Sequence, residues 1–203
     1  TGACATRDDL GRIAEFARRH DLVLASDEAY VDLWFGGAPA PSMLEVARER
    51  VIAFFSLSKR SAMTGYRVGF AAGDPELVGT LRRLKTNLDS GTPTFVQAAA
   101  AEALADEGHV EEMREEYRRK RDLVYNGLRE RFELVKPQGA FYVFPKCPWG
   151  SDEEFVRAAI ESKVLIVPGG AASKKHSHFR LSFAAPDKTL ERGIEILNKI
   201  AKR

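Results

Sequence analysis

Cysteine is scarce in this chain: Cys4 and Cys147 are the two among 203 residues, and they lack metal-ligand spacing. A bridge between them stays open, with reduced thiols in a cytoplasmic protein the expected state. Histidine is nearly as rare, with His20, His109, His176 and His178. The last pair sits among Ser173, Lys174, Lys175 and Ser177, which reads as an exposed turn rather than a metal site. No apolar run approaches the ~20 residues needed to span a bilayer. The start, Thr1-Gly2-Ala3-Cys4-Ala5-Thr6, has no basic segment leading into an apolar core, so it is not read as a secretory signal. Excess charge is missing too: the formal net charge is +2, and nothing electrostatic points to nucleic acid or an anionic membrane. There is no internal repeat and no low-complexity tract.

What is present is ordinary for a globular protein, with 44% hydrophobic and 30% charged residues. The length suits one large domain or two small ones. Thr6-Arg7-Asp8-Asp9 predicts a capping box, followed by helical spacing of Leu10, Ile13, Phe16 and Ala17 up to His20. Leu22 to Ala25 reads as a buried parallel strand, and it runs into the polar group Ser26-Asp27-Glu28-Ala29-Tyr30. Val51 to Phe55 and Val68 to Ala72 read as further strands. Asp74 with Pro75 predicts the start of a helix through Leu77, Val78, Leu81 and Leu84. This alternation argues for an α/β sheet.

An Ala-rich helix is expected from Thr94 to Leu104 and a charged one from about His109 to Arg131, with Glu111 to Arg121 as a solvated face. A domain boundary is placed near the start of that second helix, giving 1–108 and 109–203. Strands are then expected at Phe132 to Val135, Phe141 to Phe144, Val164 to Val167 and Phe179 to Phe183. Ser151 should cap one helix, and Leu190, Ile194 and Leu197 should face the core from the last. The second half therefore reads as α+β with mixed strands.

One stretch concentrates chemistry: Phe54-Phe55-Ser56-Leu57-Ser58-Lys59-Arg60-Ser61-Ala62-Met63-Thr64-Gly65-Tyr66-Arg67-Val68-Gly69. A lysine can form a Schiff base with an aldehyde, and hydroxyls with a guanidinium can hold a phosphate. Together they suggest a covalently held, phosphorylated aldehyde cofactor. Singly, each residue has a bland explanation: Asp27 a turn cap, Tyr30 a half-buried aromatic, Lys59 a solvated loop residue.

Ser26-Asp27-Glu28-Ala29-Tyr30, Ser56-Leu57-Ser58-Lys59, Gly65-Tyr66-Arg67-Val68-Gly69 and Phe179-Arg180-Leu181-Ser182-Phe183 follow one another in a family's order. The chain resembles the C-terminal half of a class I/II aminotransferase, in the aspartate-aminotransferase-like, fold type I group of pyridoxal-phosphate enzymes. The likeness runs over essentially the whole chain. It implies an α/β fold: the C-terminal part of a large, mostly parallel-sheet domain, then a smaller α+β domain.

It also implies roles. Lys59 holds pyridoxal 5′-phosphate as an internal aldimine and shuttles the α-proton of the substrate. Asp27 pairs with the ring nitrogen, and Tyr30 donates to the ring 3′-oxygen. Ser56, Ser58 and Arg67 bind the phosphate, and Arg180 clamps the substrate α-carboxylate. The implied reaction moves an amino group between an amino acid and a 2-oxoacid in a cytoplasmic homodimer, with no nucleic-acid or membrane partner. An aminotransferase-like effector domain of a transcriptional regulator is the alternative.

Two departures stand out. Thr1-Gly2-Ala3 matches the tail of a family segment, so the preceding half of the site is missing and the chain by itself is expected to lack transaminase activity. Ala172-Ser173 stand where the family commonly has Phe-Gly. Ser58 to Ser61 with Thr86 to Thr92 resembles the diaminopimelate branch.

Overall fold

Thr6 closes the expected capping box: its hydroxyl oxygen accepts from the Asp9 N–H at 3.1 Å, and Asp9 Oδ2 accepts from the Thr6 N–H at 2.9 Å. Helix α1 (Arg7–Arg19) begins there and ends at His20. The computed structural model describes residues 1–171, 174 and 176–202. The chain packs as two compact units, Cys4–Glu112 and Thr1–Ala3 with Met113–Arg203. The Gly2 carbonyl accepts from the N–H groups of Gln138 and Gly139 at 2.7 and 3.1 Å, which ties the first residues to the second unit.

In the first unit β1 (Leu24–Asp27), β2 (Val51–Ser56) and β3 (Gly69–Gly73) form one sheet in that order. β1 and β2 are parallel, with Leu24 opposite Val51 and Asp27 opposite Phe54. β2 and β3 are antiparallel, with Ser56 opposite Gly69 and Ile52 opposite Gly73. The middle strand supplies buried Val51, Ile52 and Ala53. One apolar cluster joins Leu10 of α1 to Met43 and Val51, and another joins Leu57, Met63 and Ala100.

The expected buried strand at 22–25 is corrected. The strand starts at Leu24, alternates between half-buried and exposed, and leaves Leu22 and Val23 about half exposed. Continuous burial requires both faces of the sheet to be covered, and alternate side chains of β1 are left exposed.

Between β2 and β3 the chain makes a single turn of helix, α2 (Leu57–Arg60), and a 3₁₀ turn (Thr64–Tyr66). After β3, Asp74 Oδ1 accepts from the Glu76 and Leu77 N–H groups at 2.8 and 3.4 Å and starts α3 (Pro75–Leu88) as its sequence predicts. Helix α4 (Thr94–Ala105) and the long α5 (Gly108–Leu128) follow.

The second unit holds β4 (Tyr142–Val143), α6 (Asp152–Glu161), β5 (Val167–Pro168), β6 (Phe179–Ser182) and α7 (Asp187–Ile200). Its strand order is β4-β6-β5, and both pairings are antiparallel rather than mixed. Ser151 and Glu154 form the capping box of α6, and Leu190, Ile194, Leu197 and Ile200 bury one face of α7. Phe155 and Phe179 stack at 5.1 Å, and Phe132 meets both edge-on.

Three expectations fail here. Phe132 to Val135 is not a strand: Phe132 is buried in the aromatic cluster and Glu133 makes one backbone bond to Lys146, so no ladder forms. The ladder expected from Val164 starts only at Val167, because the Val164 N–H bonds the Ala159 carbonyl at 2.9 Å and closes the end of α6. Arg121, placed on a solvated face, is buried, with Nε donating to Asp122 at 2.9 Å.

Candidate active site

The parallel register of β1 and β2 brings their C-terminal ends to one edge of the sheet. Asp27 is the last residue of β1, and the backbone continues from it into a bond between the Glu28 N–H and the Phe54 carbonyl at 2.8 Å. Ser56 is the last residue of β2 and the N-cap of α2; its Oγ accepts from the Ser58 N–H at 3.3 Å. That bond does not use the Ser56 hydroxyl proton. β3 runs the other way, so its beginning, next to Arg67, lies at the same edge. In open sheets this edge is where ligands are held.

The loop carrying the lysine is closed on itself. The Leu57 N–H bonds the Val68 carbonyl at 3.3 Å, and Thr64 Oγ1 donates to the Ser58 carbonyl at 3.2 Å. Lys59 is partly buried, with Nζ 5.7 Å from the centroid of the Tyr30 ring. Arg67 has left-handed backbone angles (φ 53°, ψ 48°), and its Nη1 donates to the Thr64 carbonyl at 3.0 Å. A non-glycine residue in that region is uncommon and is held there by its surroundings. Asp27 is exposed, and its Oδ1 accepts from the Ala29 N–H at 3.2 Å.

One edge thus gathers Asp27, Tyr30, Ser56, Ser58, Lys59 and Arg67. A primary amine, two hydroxyls and a guanidinium on one closed loop, with a carboxylate on the adjacent strand end, fit the donor chemistry of a phosphorylated aldehyde with a basic ring nitrogen. A groove of about 690 Å³ lies at the opposite, N-terminal ends of β1 and β2, lined by Leu22, Leu24, Arg50 and Val51 among others, and holds none of these residues.

Arg180 belongs to the second unit. It lies on β6 opposite Val167, with its guanidinium carbon 4.7 Å from the centroid of the Tyr142 ring. Burial, and after it the Arg180 charge, push the Thr1 amino group below its ordinary value. Ala172 and Ser173, where the family resemblance breaks, lie outside the described residues. Among the described residues no three His, Cys, Asp or Glu side chains are grouped to hold a metal ion, and no helix is long and apolar enough to cross a membrane.

Two residues beside the site are missed by reading the sequence. Glu28 is buried, and its Oε1 accepts from Ser26 Oγ at 3.0 Å and the Met43 N–H at 2.9 Å, which pins the segment after Asp27. Arg60 is also buried and pairs with Glu107.

A family model, Aminotransferase class I and II, matches residues 1–197. Aromatic-amino-acid aminotransferase 2 of Thermococcus litoralis is 41% identical, over 100% of this chain and 54% of its own length. LL-diaminopimelate aminotransferase of Desulforudis audaxviator is 39% identical, over 97% of this chain and 52% of its own. Among solved structures, an aromatic aminotransferase from Pyrococcus horikoshii superposes with a TM-score of 0.93 at 36% identity, covering 100% of this chain and 57% of that one. An aspartate aminotransferase from Thermotoga maritima gives 0.93 at 28% identity. The chain spans about half the length of the curated relatives it matches. None of these relatives supports the regulator alternative. The chain belongs to the class I and II aminotransferase family.

Proposed function

We propose that this chain is the C-terminal portion of a pyridoxal-phosphate-dependent aminotransferase that moves an amino group between an amino acid and a 2-oxoacid. The observation that carries the proposal is the convergence of Asp27, Ser56, Lys59 and the Arg67 loop at one sheet edge. Residues 1–108 are assigned to the cofactor-binding large domain and 109–203 to the small domain. The working form is a cytoplasmic homodimer.

Pyridoxal phosphate, when bound, supplies an electron-accepting ring. Ser56, Ser58 and Arg67 would hold its phosphate, the guanidinium being suited to phosphate oxygens. Asp27 would keep the ring nitrogen protonated, and the Tyr30 hydroxyl would donate to the ring oxygen. Lys59 Nζ would anchor the cofactor and carry the proton to and from the substrate Cα. Arg180 would hold the substrate α-carboxylate. The relatives named above carry aromatic, diaminopimelate and aspartate names, so family membership alone does not fix the amino donor.

The test is cofactor attachment. Pyridoxal phosphate added to the whole protein should be fixed by borohydride to the peptide carrying Lys59, and Lys59→Ala should abolish that label. An unlabelled Lys59 in the wild type overturns the proposal. The 203-residue chain alone should turn over no amino-acid and 2-oxoacid pair, since it spans about half the length of its relatives.

A further inference from the structure

Lys59 sits on a helix of four residues. One turn of helix fixes several backbone angles for about one hydrogen bond, so it does not hold its own shape or orientation. Its orientation is set by what it buries. Leu57 and Arg60, three apart, share a face, and both are buried. Leu57 joins Met63 and Ala100 in an apolar cluster, a contact without direction. Arg60 supplies direction. Its side chain is 8% exposed; Nη1 donates to the Ala103 carbonyl at 2.8 Å and lies 3.4 Å from Ser61 Oγ. Nη2 pairs with Glu107, and Nε lies 3.6 Å from the Asp32 carboxylate. Ser61 Oγ is in turn 3.0 Å from His109 Nε2, whose Nδ1 is 3.0 Å from Asp106 Oδ2.

We propose that Arg60 is a positioning residue for Lys59. Its fork ties the lysine's helical turn to the end of α4 and to the segment following Tyr30, and so fixes the direction in which the amine points. Successive helical residues are about 100° apart around the axis, so locking Arg60 locks Lys59 beside it. The ion pair with Asp32, two residues after Tyr30, also links the lysine turn to the Tyr30 segment. The inference rests on the reading of Lys59 as the cofactor lysine.

Asp32 and Glu107 reach solvent, with side chains 35% and 62% exposed. Replacing Arg60 with methionine therefore leaves no stranded buried carboxylate, and the variant should fold. The experiment compares wild type, Arg60→Met and Arg60→Lys in the whole protein. With saturating pyridoxal phosphate, borohydride is added at timed intervals and the labelled Lys59 peptide is quantified. Arg60→Met should slow labelling about tenfold, in line with the cost of ångström-scale misplacement. Arg60→Lys, which keeps the charge but not the fork, should recover part of the rate, and labelling of exposed Lys85 should not change.

A second measurement needs no cofactor. Amide exchange should quicken over residues 57–61 in Arg60→Met and stay unchanged over 51–55. Wild-type labelling in Arg60→Met overturns the proposal, as does a loss of exchange protection across the whole first unit. If wild-type Lys59 takes no label, the cofactor reading falls instead. The exchange comparison then decides the positioning role, and unchanged exchange at 57–61 overturns it.

Discussion

Gly69 faces Ser56 across the β2–β3 ladder so closely that a Cβ on Gly69 would run into the carbonyl oxygen of Phe55. The hydroxyl end of β2 and the strand following Arg67 are held together by the absence of a side chain. Gly69→Ala should therefore push the strands apart at the site end of the sheet. The expected cost is about 1–3 kcal/mol, typical of forced overpacking, measured as a lowered urea midpoint. Cofactor affinity should fall along with it. An unchanged midpoint would show that the ladder can shift to accept a methyl group.

Phe155 is fully buried and meets Phe132, Trp149 and Phe179. Truncation to alanine should destabilise the second unit by about 3–5 kcal/mol. Phe155→Leu should cost less. Calorimetry would resolve the effect, and a cost under about 1 kcal/mol would mean that the cluster collapses into the space.

Burial, and after it the nearby Asp152 charge, push the Cys147 thiol up to about 11. At pH 8 about one thiol in a thousand is then ionised. A disulfide reagent should leave Cys147 unmodified in the native protein and modify it promptly in denaturant, as read by peptide mapping. Rapid native labelling at that position would contradict the burial.

Asp74 is held below its ordinary range, first by the N–H of Arg50 and then by that of Glu76. A carboxyl lowered in the folded state contributes stability above its unfolded value of about 3.9, and loses it as pH falls through the folded value. Asp74→Asn should therefore lower Tm at pH 7, and the gap from wild type should close as pH drops below about 4. Melting curves across that range are the check; a constant gap would assign the effect to helix capping alone.

The helices with chemical start signals are legible in the sequence. Thr6, Asp74 and Ser151 each place a helix start where the structure has it, because a side-chain oxygen three or fewer residues from an N–H is a local matter. The site loop is legible for a different reason: Asp27, Lys59 and Arg67 sit at strand ends, and apolar runs mark strands. Arg60 and Glu28 are not legible, since their partners Ala103, Glu107 and Met43 lie far along the chain. The short strands of the second unit fail for a related reason. Val164 is as apolar as a strand residue, but its N–H is already engaged by the end of α6.

The pairing of Asp27 with Phe54 works as a ruler. Side chains along a strand alternate faces, so losing or gaining one residue between Leu24 and Asp27 would turn the carboxylate to the other side of the sheet while leaving every residue type in place. The count of residues in β1 is thus as much a part of the site as their identity. Changes of length there should abolish cofactor binding where many single replacements at neighbouring positions would only weaken it.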